Sequence, residues 1–182
     1  MRKVLVPVLA TIALCFATVL CSAQTQQEKD AARVAMRERL RAFLNASGPK
    51  RDINISFKQS EQNPFNFVGI KRDGLTNAEF YEVVVGVSTD NTINFKIYPH
   101  YKGGYVNVDK AKDPIGLMRL MLNLNAHNFL YWGADDEKDI FAGMIFTLES
   151  GFADKSMETV LYSVFALDPY LGQMRPFIDA SH

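Results

Sequence analysis

The sequence predicts an α+β domain, and three observations carry that prediction. Residues 30–45 place apolar side chains at helical spacing, and residues 53–98 switch to alternating and β-branched runs. Helical spacing then returns after Asp113 and again after Ser156. Strand blocks set between segregated helices are the pattern of an antiparallel sheet with helices packed around it.

The first helix is read over Asp30 to Asn45. Ala32, Met36, Leu40, Phe43 and Leu44 share one face, and Gly48 supplies the stop signal. Arg33, Arg37 and Arg41 border that stripe on one side and Arg39 on the other, where long arginine stems cover apolar surface while the charge stays wet. A first short strand is expected where Ile53, Ile55 and Phe57 alternate with polar residues. A second covers Phe65 to Ile70 and ends at the turn signal Lys71-Arg72-Asp73-Gly74. Phe80 to Val87 is the strongest strand signal. After Ser88-Thr89-Asp90-Asn91 the chain returns through Ile93 to Tyr98, with Ile93, Phe95 and Ile97 facing one way and Asn94, Lys96 and Tyr98 the other. Tyr105 to Val108 extends the sheet after a glycine-containing loop.

Asp113-Pro114 is an N-cap followed by proline at the first helical position. The helix that follows, to about Ala126, is apolar over a wide arc of Ile115, Leu117, Met118, Leu120, Met121, Leu122 and Leu124. That width predicts burial on more than one side. A hairpin comes next: a strand from Asn128 to Gly133, an acidic turn at Ala134 to Lys138, and a longer strand from Asp139 to Leu148. The final helix starts near Ser156 with Met157, Val160, Leu161, Val164 and Phe165. Asp168-Pro169 kinks or restarts it, and Tyr170, Leu171, Met174 and Ile178 continue its apolar face.

Residues 1–23 read as an address. Met1-Arg2-Lys3 is a short basic start, Val4 to Leu20 carries no charge, and Cys21-Ser22-Ala23 closes the run with small residues, the pattern of a cleaved secretory signal. The apolar run also admits an uncleaved anchor, and Cys21 a lipoprotein, although Leu20 stands where lipidation favours a small residue. The expected mature chain is a single domain over 24–182 with its core in about 30–178, and the expected location is the periplasm or the outside of a bacterial cell. Contact with membrane is then transient, through the signal alone. Both cysteines, Cys15 and Cys21, leave with the signal, so stability must come from the core and not from disulfides. Of 20 basic and 20 acidic residues, Arg2 and Lys3 leave too. The near-neutral remainder has no electrostatic footprint for nucleic acid. Two glycosylation sequons, at Asn45 and Asn54, are taken as chance matches.

Chemistry-bearing motifs are sparse. The chain has no metalloprotease helix motif, no phosphate-binding glycine loop and no paired-cysteine motif. Gly86-Val87-Ser88-Thr89-Asp90 falls short of a nucleophile elbow, because it joins strand to strand where the elbow joins strand to helix. Asp135, Asp136, Glu137 and Asp139 crowd one turn, but Ile140 and Phe146 stand where a calcium loop needs glycine and glutamate. A solvated turn that keeps an apolar hairpin from self-association accounts for them. His127 is a helix-end histidine. No catalytic residue, metal or cofactor is expected.

Two features point to binding. The segment Tyr98-Pro99-His100-Tyr101-Lys102-Gly103-Gly104-Tyr105 puts Tyr98, His100, Tyr101 and Tyr105 on a glycine-loosened loop suited to recognition, or serves as a plain strand connection with half-buried rings. The later hairpin is apolar on both faces. Phe129 and Tyr131 oppose Leu130 and Trp132, and Phe141 and Ile145 oppose Ile140, Ala142, Met144, Phe146 and Leu148. An antiparallel hairpin with two apolar faces needs a second cover, and a homodimer interface through Phe129, Tyr131, Phe141 and Ile145 supplies one.

The element order α-β-β-β-α-β-β-α, the run Leu117-Met118-Arg119-Leu120-Met121-Leu122-Asn123-Leu124-Asn125 leading into Phe129 to Trp132, and the Asp168-Pro169-Tyr170 step resemble the YbjN family and the related type III secretion chaperone-like fold. The resemblance spans residues 65–178. It implies a compact domain that often dimerises and binds protein segments, with no active site to carry over. An export signal departs from the cytoplasmic setting of secretion chaperones. The expected function is therefore an exported, non-enzymatic protein-binding or regulatory domain, a chaperone-like homodimeric adaptor in the envelope. The competing expectations are a binder of small ligands or envelope components and an enzyme of unrecognised type.

Overall fold

The computed structural model describes residues 5–90, 92–147 and 154–179, with side chains from Gln26 onward. Met1 to Lys3, the basic start of the expected signal, lie outside the described residues, as do Leu148 at the expected strand end and His182. The chain folds as an α+β domain with an open, wholly antiparallel sheet and four helices.

Helix α1 spans Leu5–Ser47, so the helical backbone begins well before Asp30. Gly48 follows it, approached so closely by the Ile55 and Leu44 carbonyls that a side chain there would collide with backbone. Strands β1 (Phe57–Gln59), β2 (Asn66–Lys71), β3 (Phe80–Val87) and β4 (Thr92–Tyr101) form a meander, and β5 (Gly104–Tyr105) folds back on β4. Helix α2 (Pro114–Asn125) leads to β6 (Tyr131–Ala134) and β7 (Ile140–Thr147), and β7 pairs with β4. The strand order is β1-β2-β3-β4-β7-β6. Helices α3 (Asp154–Ser163) and α4 (Asp168–Ile178) complete the chain, joined by a 3-10 turn at Phe165–Leu167.

Register divides the sheet into two unlike faces. Tyr81, Val83, Val85 and Val87 lie opposite Pro99, Ile97, Phe95 and Ile93, and Ile97 lies opposite Ala142 beside Trp132. These side chains are buried in one core with Leu40, Phe43 and Leu44 of α1, Leu117, Met121 and Leu124 of α2, Met157, Val160 and Leu161 of α3, and Leu171 and Met174 of α4. All four helices contribute to this core, which covers that single face. The alternation over Ile93 to Tyr98 is as expected, because a half-buried strand with period 2 can satisfy its apolar set on one side only.

Several local expectations are corrected. Ile53 and Ile55 are buried but precede β1, because Asn54 adopts a left-handed conformation (φ 51°) that interrupts extended backbone. At Asp168-Pro169 the final helix restarts, one of the two outcomes expected there: the Asp168 carboxylate accepts hydrogen bonds from outside the helix, and Pro169 starts a new one. In α2 the Asp113 cap forms as expected, with the Gly116 N–H donating to Asp113 Oδ1 at 2.9 Å, a contact worth about 1 kcal/mol. The wide apolar arc of α2 is buried on one side only; Ile115, Met118 and Leu122 are exposed. Finally, Tyr98 to Tyr101 belong to β4, and only Lys102 and Gly103 (φ 52° and 81°) form the turn into β5. The predicted loop is a tight hairpin, and both turn residues adopt the left-handed geometry such hairpins require.

Candidate functional site

The sheet face opposite the helices carries a continuous aromatic strip. Phe80 of β3 stacks on His100 of β4 with ring centroids 3.9 Å apart, and His100 meets Tyr105 of β5 at 4.1 Å. Tyr105 packs on Tyr98 at 5.7 Å, Tyr98 on Phe141 at 5.6 Å, and Phe141 on Tyr131 at 5.9 Å. Cations close the strip: Arg72 lies 4.4 Å over Phe80 and Lys96 lies 4.7 Å over Phe141. Such pairs contribute about 0.5–1.5 kcal/mol each beyond area burial. The strip is built across five strands because alternate residues of each strand project to this face.

Tyr98, His100 and Tyr105 from the predicted binding segment thus share one surface with Tyr131, Phe141 and Ile145 from the predicted dimer interface. Tyr101 does not join them. Its hydroxyl donates to Asp179 Oδ2 at 2.8 Å beyond α4, where Lys102 and Tyr101 together hold the Asp179 carboxyl below the usual carboxylate range. Phe129 also stands apart, exposed before β6 and beside a cleft of about 100 Å³ shared with Trp132 and Tyr170. The second face of the hairpin is partly covered within the chain, since Tyr98, Tyr131 and Lys96 bury Phe141 to 6% exposure. Ile145 remains 50% exposed, and Ile70 and Tyr105 of the same face are exposed as well.

Electrostatics follow burial. Inside the Phe80–Tyr105 stack, burial lowers the His100 pKa against the opposing pull of Glu82, Glu79 and Asp139. Its Nε2 is buried without a hydrogen-bond partner. Burial, with Glu82 nearby, pushes the Tyr105 phenol up to about 12, and its hydroxyl donates to Glu82 Oε1 at 3.1 Å. Burial raises the Tyr98 and Tyr131 phenols too, and Tyr98 bonds Asp135 of the acidic turn. These phenols and the imidazole stay neutral near pH 7. Together they make a flat amphipathic surface, apolar in area and rimmed with hydrogen-bonding groups. Among the described residues, no group of three His, Cys, Asp or Glu side chains is placed to hold a metal ion.

The edges of the sheet differ from its face. The Trp132 backbone N–H donates to Asn125 Oδ1 at 2.5 Å, and Asn125 Nδ2 donates to the Trp132 carbonyl at 3.1 Å, so a carboxamide from α2 occupies the outer rail of β6. At the far edge β1 is only three residues long and carries Lys58 and Gln59. Short, charged or capped edges discourage strand addition. Sequence reasoning missed Phe80, Arg72 and Lys96 as members of the surface; pairing the Phe80–Val87 run with the strand that follows would have placed Phe80 beside His100, while Arg72, outside both runs, left no such signal.

Compared with known proteins, the chain matches no family model, no curated protein and no solved structure.

Proposed function

We propose that this chain is an exported, non-enzymatic protein-binding and regulatory domain, a homodimeric chaperone-like adaptor of the bacterial envelope with a YbjN-like, type III secretion chaperone-like arrangement. The observation that carries the reading is the open face of the sheet, where Tyr105 of the aromatic strip is exposed together with Ile70 and Ile145. Exposed aromatic and β-branched side chains on a rigid sheet hold apolar segments with little ordering cost. The capped edge at β6 favours engagement through the face and its pockets over strand addition.

Light scattering tests the dimer. The protein is expected to run as a dimer at tens of micromolar, and Ile145→Glu as a folded monomer with an unchanged circular dichroism spectrum. A strict monomer for the unaltered chain would overturn dimerisation. For partners, a photo-reactive phenylalanine analogue at position 105 is expected to crosslink a discrete protein in cells, while the same analogue at position 101 does not. Equal capture from both positions would place the surface elsewhere.

A further inference from the structure

The geometry points to a second site on the same face: a groove for a small organic acid bearing hydroxyl groups, of the size of a sugar acid. The groove encloses about 420 Å³ where α1 meets the ends of β2, β3 and β4, within the range of small-molecule pockets. Arg33, Asn66, Gly86, Asn94 and Lys96 define it, and no carboxylate side chain lines it.

Among the described residues, its cations pair with no carboxylate. Among the described residues, Arg37 and Arg41 pair with Glu38, and Arg39 pairs with Asp154. Arg33 alone of the α1 arginines pairs with no carboxylate. Its Nε and Nη2 donate to the Val87 carbonyl at 3.1 and 3.0 Å, and its guanidinium stacks 3.7 Å over Phe65. The group is therefore held in one orientation with N–H donors to spare. A positioned guanidinium fork suits a planar carboxylate. Lys96, across the groove, also pairs with no carboxylate among the described residues; its Nζ lies 4.7 Å over the Phe141 ring.

The floor supplies hydrogen bonds. Asn66 and Asn94 flank Gly86 on neighbouring strands. Asn66 Oδ1 lies across the glycine, only 2.2 Å from where a Cβ would stand. Neither carboxamide bonds to another described residue, so each offers one acceptor and two donors upward. Adjacent hydroxyl groups match such a pair. The Tyr98 ring forms the wall, its own hydroxyl committed to Asp135.

Calorimetry on the purified protein tests this site with glucuronate, glucose, inorganic phosphate and a glutamyl dipeptide as probes. Glucuronate is expected to bind at least tenfold more tightly than glucose or phosphate. Lys96→Gln and Arg33→Gln are each expected to weaken it about tenfold, the loss of one charge-assisted contact. Circular dichroism establishes that both variants fold, and an unchanged dimer mass is read in Arg33→Gln, whose side chain lies outside the aromatic strip, so this site can fail while the protein-binding face stands. Undetectable glucuronate binding, equal binding of glucose, or wild-type affinity in Lys96→Gln would overturn the site. Tighter binding of phosphate would reduce it to a simple anion site, and tighter binding of the glutamyl dipeptide would replace the hydroxy acid with a peptide; either outcome overturns the ligand class.

Discussion

His100 shows how one residue's setting converts into behaviour. Its ring lies between Phe80 and Tyr105, and burial lowers its pKa from the ordinary 6.5, with Arg72 reinforcing the shift and Glu82, Glu79 and Asp139 opposing it. The folded chain keeps the ring neutral at pH values where the unfolded chain protonates it. Its contribution is therefore complete above pH 6.5 and is lost as pH falls from that value through the lower folded pKa. Urea denaturation is expected to show a midpoint that drops below that pH. His100→Phe, which keeps the stack and cannot protonate, is expected to remove this part of the slope; an unchanged slope would assign it to another group. The residue types at Tyr98, His100 and Tyr105 were legible in the sequence as recognition chemistry. Their company was not. Phe80 is twenty residues away, and only the β3–β4 register brings it against His100.

At the scale of elements, alternation and capping were the readable signals. Strand β4 and the start of α2 formed where the pattern placed them, because both signals are local: period-2 burial in one case and an Asp-Pro start in the other. The buried side of α2 was not legible, since an all-round apolar helix does not say which side meets the core. Nor was the role of Asn125, whose carboxamide reaches seven residues along the chain to occupy the backbone of Trp132. Replacing it frees the outer rail of β6. Asn125→Ala is expected to cost about 1–2 kcal/mol through the unsatisfied backbone groups. It is also expected to raise thioflavin fluorescence under mild heating; stability and fluorescence both equal to the unaltered chain would show that the contact guards nothing.

For the whole molecule, the α+β class followed from the order of periodicities, while the placement of every helix on one side did not. That arrangement depends on contacts between distant segments, of which Asp168 is the strongest. Its buried carboxylate accepts the backbone N–H groups of Thr76, Asn77 and Ala78 at 2.7, 3.0 and 2.8 Å and the Asn77 side chain at 3.2 Å. The start of α4 is thereby fastened to the connection between β2 and β3. Asp168→Ala leaves those donors without an acceptor and is expected to lower unfolding free energy by about 3 kcal/mol or more, read by chemical denaturation. A loss below about 1 kcal/mol would mean water replaces the carboxylate freely.

The open face of the sheet cannot hold two large partners at once. The side chains read for partner capture, Tyr98 and Tyr105, stand among those read for self-association, Tyr131, Phe141 and Ile145. A second copy and a client would therefore compete for the same surface. On the proposed reading the paired form would be a reserve from which each client evicts a copy, and apparent affinity for clients would fall as the chain's own concentration rises.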